Sequence, residues 1–220
     1  YKRQVPYKAI DGVVDELGRM LARLPPTEVA ALLPRDVDAL GQVFPVLRRI
    51  ETISGARHRA SVDRNEQRRR GMGALRELIA RIADRQPLLI AVDDLQWGDA
   101  DSVALMAELL RPPDPPALLF VGVFRGEERK TSPLLSGLQE LRGSTLSSLD
   151  AREIPVGELA PEDAVELVAS LLAERRADAA LAERITAESA GCPFLVHELV
   201  RQRAQGGAPS IRSKWYCSRA

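Results

Sequence analysis

Two adjacent aspartates, Asp93 and Asp94, directly follow the apolar run Leu88–Val92. A short apolar run that is bounded by Pro87 on one side and by charge on the other predicts a fully buried strand. Two neighbouring carboxylates at the end of such a strand are costly unless a positive group lies beside them. A hydrated Mg²⁺ that carries nucleotide phosphates fits this pair, because Mg²⁺ prefers oxygen ligands and keeps several waters. The alternative is a strand that ends in a loop whose aspartates cap the next helix.

A second polar group follows the next apolar run of the chain. Residues 117–124 (ALLFVGVF) predict another buried strand, and Arg125 comes directly after it. Ligands of parallel sheets bind outside the carboxyl ends of the strands, so we expect Arg125 at the same sheet edge as the two aspartates. Its planar guanidinium could bind a phosphate through two hydrogen bonds. The alternative is a surface ion pair between Arg125 and Glu127 or Glu128.

A third candidate lies at the joint between two predicted helices, in the run Ala-Gly-Cys-Pro-Phe that begins at residue 190. Gly191 is typical of the end of one helix, and Pro193 is typical of the beginning of the next. Without further information this is a turn between helices.

The elements that must position these groups alternate as in a parallel α/β sheet. A helix over about 66–85 leads into the first strand, placed at 88–93, and a helix from about residue 101 leads to the second strand, at 117–124. Short helices precede this core, and Ser132-Pro133 begins another helix. A weaker strand is predicted over Glu153–Val156.

Beyond the weaker strand the pattern changes to helices alone. Three helices are predicted over 161–204, and the periodicity is lost after Gly206. The predicted division is a partial core at 1–156, a helical lid at 157–205, and a tail at 206–220 that is unstructured or not native to the domain.

Composition narrows the classes of function. Lys+Arg and Asp+Glu both total 31, so the net charge gives no support to a nucleic-acid, membrane or acidic-substrate partner. There is no apolar stretch long enough to cross a membrane. Cys192 and Cys217 show no metal or redox spacing, and a reduced cytoplasm is the expected setting. His58 and His197 are isolated, so a zinc site is not predicted.

A cluster of arginines precedes the core helix. We interpret it as a solvated loop and the exposed start of that helix, since no aromatic residues interleave it as a single-strand nucleic-acid surface would require. A phosphate or nucleic-acid contact is the alternative. The arginines are Arg57, Arg59, Arg64, Arg68, Arg69 and Arg70.

The run DDLQWGDADS, which begins at Asp93, resembles the Walker B segment of P-loop ATPases. More narrowly it is similar to the signal-transduction (STAND) ATPases, relatives of the AAA and origin-recognition ATPases. The resemblance implies that Asp93 holds Mg²⁺ through water, and that Asp94 orients or deprotonates the attacking water. It implies a sensor role for Arg125, and places Gly191 and Pro193 near the nucleotide, although Cys192 stands where the family commonly has Asn. The implied cofactors are ATP and Mg²⁺.

The phosphate loop of that family, G-x-x-x-x-G-K-[ST], does not occur in this sequence. In the family it lies upstream of the Walker B strand, so we expect the chain, which begins at Tyr1, to be an N-terminally truncated fragment. The expected fold is α/β: a partial P-loop NTPase (AAA-like) parallel sheet with helices, followed by a small all-helical lid. Because the phosphate loop is missing, we expect the chain alone to be inactive. A sheet without its first strand would expose apolar edges, so we also expect the chain alone to be poorly soluble.

The favoured function is an ATP-binding and hydrolysing regulatory switch within a multidomain signalling protein. The segments VPYKAIDGVVDEL and DDLQWGDADS resemble ATPase modules found beside bacterial serine/threonine kinase domains or in transcriptional regulators. Linked kinase or regulator domains are therefore the expected partners. A scaffold that keeps the fold without hydrolysing ATP is the alternative. A DNA-loading ATPase is the third possibility, which the neutral charge does not favour.

Overall fold

A computed structural model describes residues 7–55, 63–172 and 179–204. The chain divides into two compact units, Tyr1–Asp150 and Ala151–Ala220. Among the described residues, no helix combines the length and the apolar character that crossing a membrane would require. The predicted tail at 206–220, as well as Arg57, His58 and Arg59, falls outside the described residues.

The first unit combines helices with a small sheet. The helices of its described part are α1 (Asp11–Ala22), α2 (Pro26–Leu32), α3 (Val37–Val43), α4 (Glu51–Ser54), α5 (Arg64–Ala83), α6 (Ala100–Leu110) and α7 (Pro133–Arg142). Short 3₁₀ turns occur at Pro45–Arg49, Leu95–Trp97 and Gly126–Glu128.

The helices form where the sequence pattern predicts them. In α1, Val14, Leu17 and Leu21 recur every three to four residues and are buried, which is the pattern of a helix with one apolar face. The long helix α5 begins at Arg64, slightly before the predicted residue 66, because the side chain of Asp63 caps it by accepting a hydrogen bond from the Asn65 N–H at 2.9 Å. The predicted helices before β1, and the one beginning at Ser132-Pro133, are confirmed.

The two predicted strands pair in parallel. β1 (Leu88–Val92) and β2 (Leu118–Gly122) lie side by side with Leu88 opposite Leu118 and Val92 opposite Gly122. They are shorter than the predicted ranges 88–93 and 117–124, and they form a two-stranded sheet within the described residues.

The prediction that these strands are buried on both faces is wrong. Ile90 and Val92 point into the core, whereas Leu89 and Leu119, which are paired on the other face, are each 60% exposed. Val121 and Val123 are also exposed. The described helices cover only one face of the sheet, so the side chains of alternate residues stay in solvent.

The prediction of a weaker strand over Glu153–Val156 is also wrong. Residues 151–160 form neither helix nor strand, and Ile154 and Val156 are 80% and 92% exposed. An isolated segment of four residues becomes a strand only when a neighbouring strand supplies its hydrogen bonds, and none does so in the described part of this unit.

The second unit contains the three helices predicted over 161–204. They are α8 (Pro161–Leu172), α9 (Ala179–Ser189) and α10 (Pro193–Ala204). They pack around a small core of their own, to which each helix contributes apolar side chains: Val168, Leu172, Ala182, Ile185, Val196, Leu199 and Val200.

Candidate functional site

The chain turns sharply at Asp94, directly after β1. Asp94 has a left-handed backbone, with φ 52° and ψ 41°, and the 3₁₀ turn Leu95–Trp97 follows it. Aspartate tolerates this conformation better than most residues, and residues held in it occur often at functional sites. The turn leaves Asp93 and Asp94 exposed at the carboxyl end of β1.

One carboxylate oxygen of each of these aspartates accepts a hydrogen bond. The backbone N–H of Asp94 donates to Asp93 Oδ1 at 2.9 Å, and Gln96 Nε2 donates to Asp94 Oδ1 at 2.8 Å. Both Oδ2 atoms lack a hydrogen bond to any described residue. Mg²⁺ is usually bound through one or two carboxylates together with waters and phosphate oxygens, so this pair fits a hydrated Mg²⁺. Within the described residues, no group of three or more His, Cys, Asp or Glu side chains is placed to hold a metal.

The ends of the two strands are tied together beyond the sheet. The Val123 N–H donates to the Val92 carbonyl at 2.9 Å, and the Leu95 N–H donates to the Val123 carbonyl at 2.8 Å. Close packing accompanies these bonds, because a Cβ at Gly122 would lie only 2.6 Å from Leu95 Cδ2. The turn that carries Asp94 is therefore fixed on the end of β2.

Arg125 follows β2 at this same edge. Its backbone N–H donates to Gln96 Oε1 at 3.3 Å, so it lies beside the turn that carries Asp94. The side chain of Arg125 is exposed and forms no ion pair with a described residue, and the alternative of a pair with Glu127 or Glu128 is not observed. The structure thus brings Asp93, Asp94 and Arg125 to the ends of neighbouring strands.

Gln96 is the site residue that sequence reasoning missed. It is a polar side chain that is only 4% exposed, and it joins Asp94 to the backbone of Arg125. Amide side chains are mostly found on protein surfaces, so nothing in the sequence singles Gln96 out beyond its place in the motif.

The other two aspartates of the motif have structural partners. Asp99 caps α6, since its Oδ1 accepts from the Ser102 N–H at 2.8 Å. Asp101 lies in the first turn of α6 and pairs with Arg68. Hydrogen bonds from Arg68 to Tyr7 and Asp101 raise the pKa of the guanidinium.

Other arginines of the predicted cluster are also paired. Arg69 pairs with Glu66, and Arg70 binds both oxygens of Asp36, which raises the pKa of Arg70. Arg64 and Arg69 are exposed, as the interpretation of a solvated helix start expects, whereas Arg68 and Arg70 are half-buried.

Gly191 and Pro193 lie in the second unit, at the joint between α9 and α10. Gly191 has φ 77°, and a Cβ there would lie 2.5 Å from the Leu159 carbonyl oxygen. The Leu159 N–H donates to the Gly191 carbonyl at 2.8 Å, and Pro193 begins α10. Glycine is required for this turn, and a nucleotide contact of either residue stays a prediction.

Comparison with known proteins gives one match. The model of a protein family described as AAA ATPase domain matches residues 1–121, slightly more than half of the chain. The matched region includes Asp93 and Asp94 and ends within β2, before Arg125. A mostly helical unit with a small parallel sheet is compatible with an α/β fold of this type. No curated protein and no solved structure matches the chain.

Proposed function

Because the chain belongs to the AAA ATPase domain family, we propose that it is part of an ATP-hydrolysing regulatory switch of the signal-transduction (STAND) group. The observation that carries the proposal is the arrangement at the strand ends. Asp93 and Asp94 each keep one carboxylate oxygen free of bonds to described residues, and Arg125 follows the neighbouring strand without an ion pair to any of those residues.

The residues at this edge would share the work of hydrolysis. Asp93 would hold Mg²⁺ through water, and Asp94 would orient or deprotonate the water that attacks the γ-phosphate. Arg125 would bind the γ-phosphate and sense its loss, because a guanidinium matches phosphate oxygens in geometry and charge. When bound, Mg²⁺ would neutralise the phosphate charge that the two aspartates otherwise repel.

The rest of the nucleotide site would come from other parts of the protein. We place the phosphate loop upstream of Tyr1, on a strand that completes a P-loop NTPase sheet. The helices α8–α10 would correspond to the helical lid of the family, and Gly191 and Pro193 would be its candidate nucleotide-binding residues. Linked kinase or regulator domains would receive the signal, as the resemblance of the segment VPYKAIDGVVDEL implies.

ATP turnover by the protein that includes the sequence preceding Tyr1 tests the proposal. Asp94→Asn should lower kcat by about 10²- to 10⁴-fold, which is the usual contribution of a general base, while ATP binding is retained. Asp84→Asn is the matched control, because Asp84 precedes β1 at the opposite end of the strand and should leave kcat unchanged.

The second candidate is a scaffold that keeps the fold without hydrolysing ATP. The observation that favours it is the lack of a phosphate-loop motif in these residues. If the longer protein also lacks that motif and shows no turnover, the scaffold replaces the switch. Turnover that Asp94→Asn leaves unchanged would instead overturn the catalytic role proposed for Asp94.

A further inference from the structure

We infer that Gln96 is a positioning residue, which holds the Asp94 carboxylate in a fixed orientation relative to the end of β2. Its Nε2 donates to Asp94 Oδ1 at 2.8 Å, and its Oε1 accepts from the Arg125 N–H at 3.3 Å. One amide group thus connects the residue proposed to act on water with the backbone of the proposed sensor. The effect on turnover rests on the proposed function, whereas the geometric role does not.

The two hydrogen bonds require both ends of a glutamine amide. The NH₂ group serves as the donor and the carbonyl as the acceptor, in a side chain of fixed length. Glutamate has the same shape but would present an acceptor to the Asp94 carboxylate and repel it. Methionine has a similar length and would remove the donor to Asp94.

Burial makes this connection rigid. Gln96 is only 4% exposed, so water cannot easily replace its partners if they move. Loss of one partner would leave a buried polar atom unsatisfied, which is unfavourable. The adjacent Leu95 is also buried and packs on Gly122, which fixes the backbone on which Gln96 is carried.

The arrangement leaves the other oxygen of Asp94 available. Because Gln96 engages Oδ1 alone, Oδ2 keeps a defined direction and has no hydrogen bond to a described residue. A shift of the Arg125 backbone would move Gln96 and, with it, Asp94. The proposed sensor and the proposed base are therefore linked through one side chain.

The first test follows the Gln96 side-chain amide by NMR, with glutamine-selective ¹⁵N labelling of the protein that includes the sequence preceding Tyr1. The two amide protons should exchange slowly with solvent, and Asp94→Asn should shift their signals strongly. Glu127→Gln changes an exposed acidic residue three positions after Phe124. This substitution should not shift the Gln96 signals. Rapid exchange of the Gln96 amide protons with solvent, or amide signals that Asp94→Asn does not shift, would overturn the inference.

The second test is a double-mutant cycle on ATP turnover. Gln96→Met should lower kcat about 10- to 100-fold, the usual loss when a supporting hydrogen bond to a site ligand is removed, with KM for ATP nearly unchanged. Gln96→Glu should lower kcat at least as much. In an Asp94→Asn background, Gln96→Met should have no further effect, because Gln96 acts through Asp94.

A matched control separates positioning from general stability. Gln42, on α3, also donates from Nε2 to an aspartate, Asp38, at 2.8 Å, but it lies away from the strand ends. Gln42→Met should leave kcat unchanged. Equal effects of Gln42→Met and Gln96→Met, or additive effects of Gln96→Met and Asp94→Asn, would overturn the inference. If the unsubstituted protein shows no turnover, the proposed function fails, and the NMR result alone decides the role of Gln96.

Discussion

The side chains of Asp11, Asp15 and Asp99 lie close enough for their charges to interact. Asp11 begins α1, and its pKa is raised above the ordinary 3.8, first by burial and then by the negative charges of Asp15 and Asp99. Asp99 in turn caps α6, a few residues after Asp94. The charge of Asp11 is thus less favourable in the folded chain than in the unfolded one.

We expect Asp11→Asn to change how stability depends on pH. Because the pKa of Asp11 is higher in the folded state, the folded chain binds this proton more tightly, and wild-type stability falls as pH rises from 3.8 through the raised pKa. Asparagine does not titrate. The melting temperature of the variant minus that of the wild type should therefore increase from about pH 4 to about pH 7. Thermal melts at both pH values measure this difference. Asp114→Asn is the control, and a difference independent of pH would contradict the prediction.

At the scale of elements, α3 and α5 cross so closely that one glycine decides their separation. A Cβ at Gly71 of α5 would lie 2.3 Å from Val43 Cγ2 and 2.9 Å from the Ala39 carbonyl oxygen, both on α3. Gly73 lies two positions further along α5, on a different face of the helix. No atom lies within 4 Å of the position that a Cβ would take there. Two glycines that look equivalent in the sequence therefore have different roles.

Alanine substitutions should separate these two glycines. Gly71→Ala inserts a methyl group where backbone and side chain already fill the space, so it should lower the free energy of unfolding by about 1–3 kcal/mol. Gly73→Ala meets open space in a helix interior and should raise it by about 0.5–1 kcal/mol. Chemical denaturation of both variants is the measurement, and equal effects of the two substitutions would refute this account of the contact between α3 and α5.

At the scale of the whole molecule, the sheet has one bare face. Parallel sheets are normally covered by helices on both faces, yet Leu89, Leu119, Val121 and Val123 remain exposed in the described structure. A contiguous apolar surface of this kind favours association with other molecules. This observation adds to the sequence-based expectation that the chain by itself is poorly soluble.

Polar substitutions on this bare face should improve solubility without loss of stability. Leu89 and Leu119 are each 60% exposed and are paired across the strands. The double substitution Leu89→Thr/Leu119→Thr would reduce the apolar surface that faces solvent, and the β-branched threonine suits a strand. Gel filtration should show aggregates for the unsubstituted chain and a larger monomer fraction for the variant. Ile90→Thr, at a core position of the same strand, should instead destabilise the chain. A sharp monomeric peak and a cooperative melt for the unsubstituted chain would contradict the prediction.

The positions of most elements and the order of the polar groups could be predicted from the sequence. Apolar periodicity located α1, α5 and the two strands, because a helix or strand face that is buried must be apolar along its length. The parallel order of β1 and β2 then placed Asp93, Asp94 and Arg125 at one edge. These features follow from residues that are close together in the chain.

Features that depend on distant parts of the chain could not be predicted from the sequence. Gln96 became a buried link because β2 and Arg125 supply its surroundings. The apolar residues of 153–156 did not form a strand, and the second face of the sheet stayed exposed, because hydrogen-bonding and packing partners were not beside them in the described structure. Apolar character can indicate that a surface tends to be buried, but whether it is buried depends on whether another element lies against it.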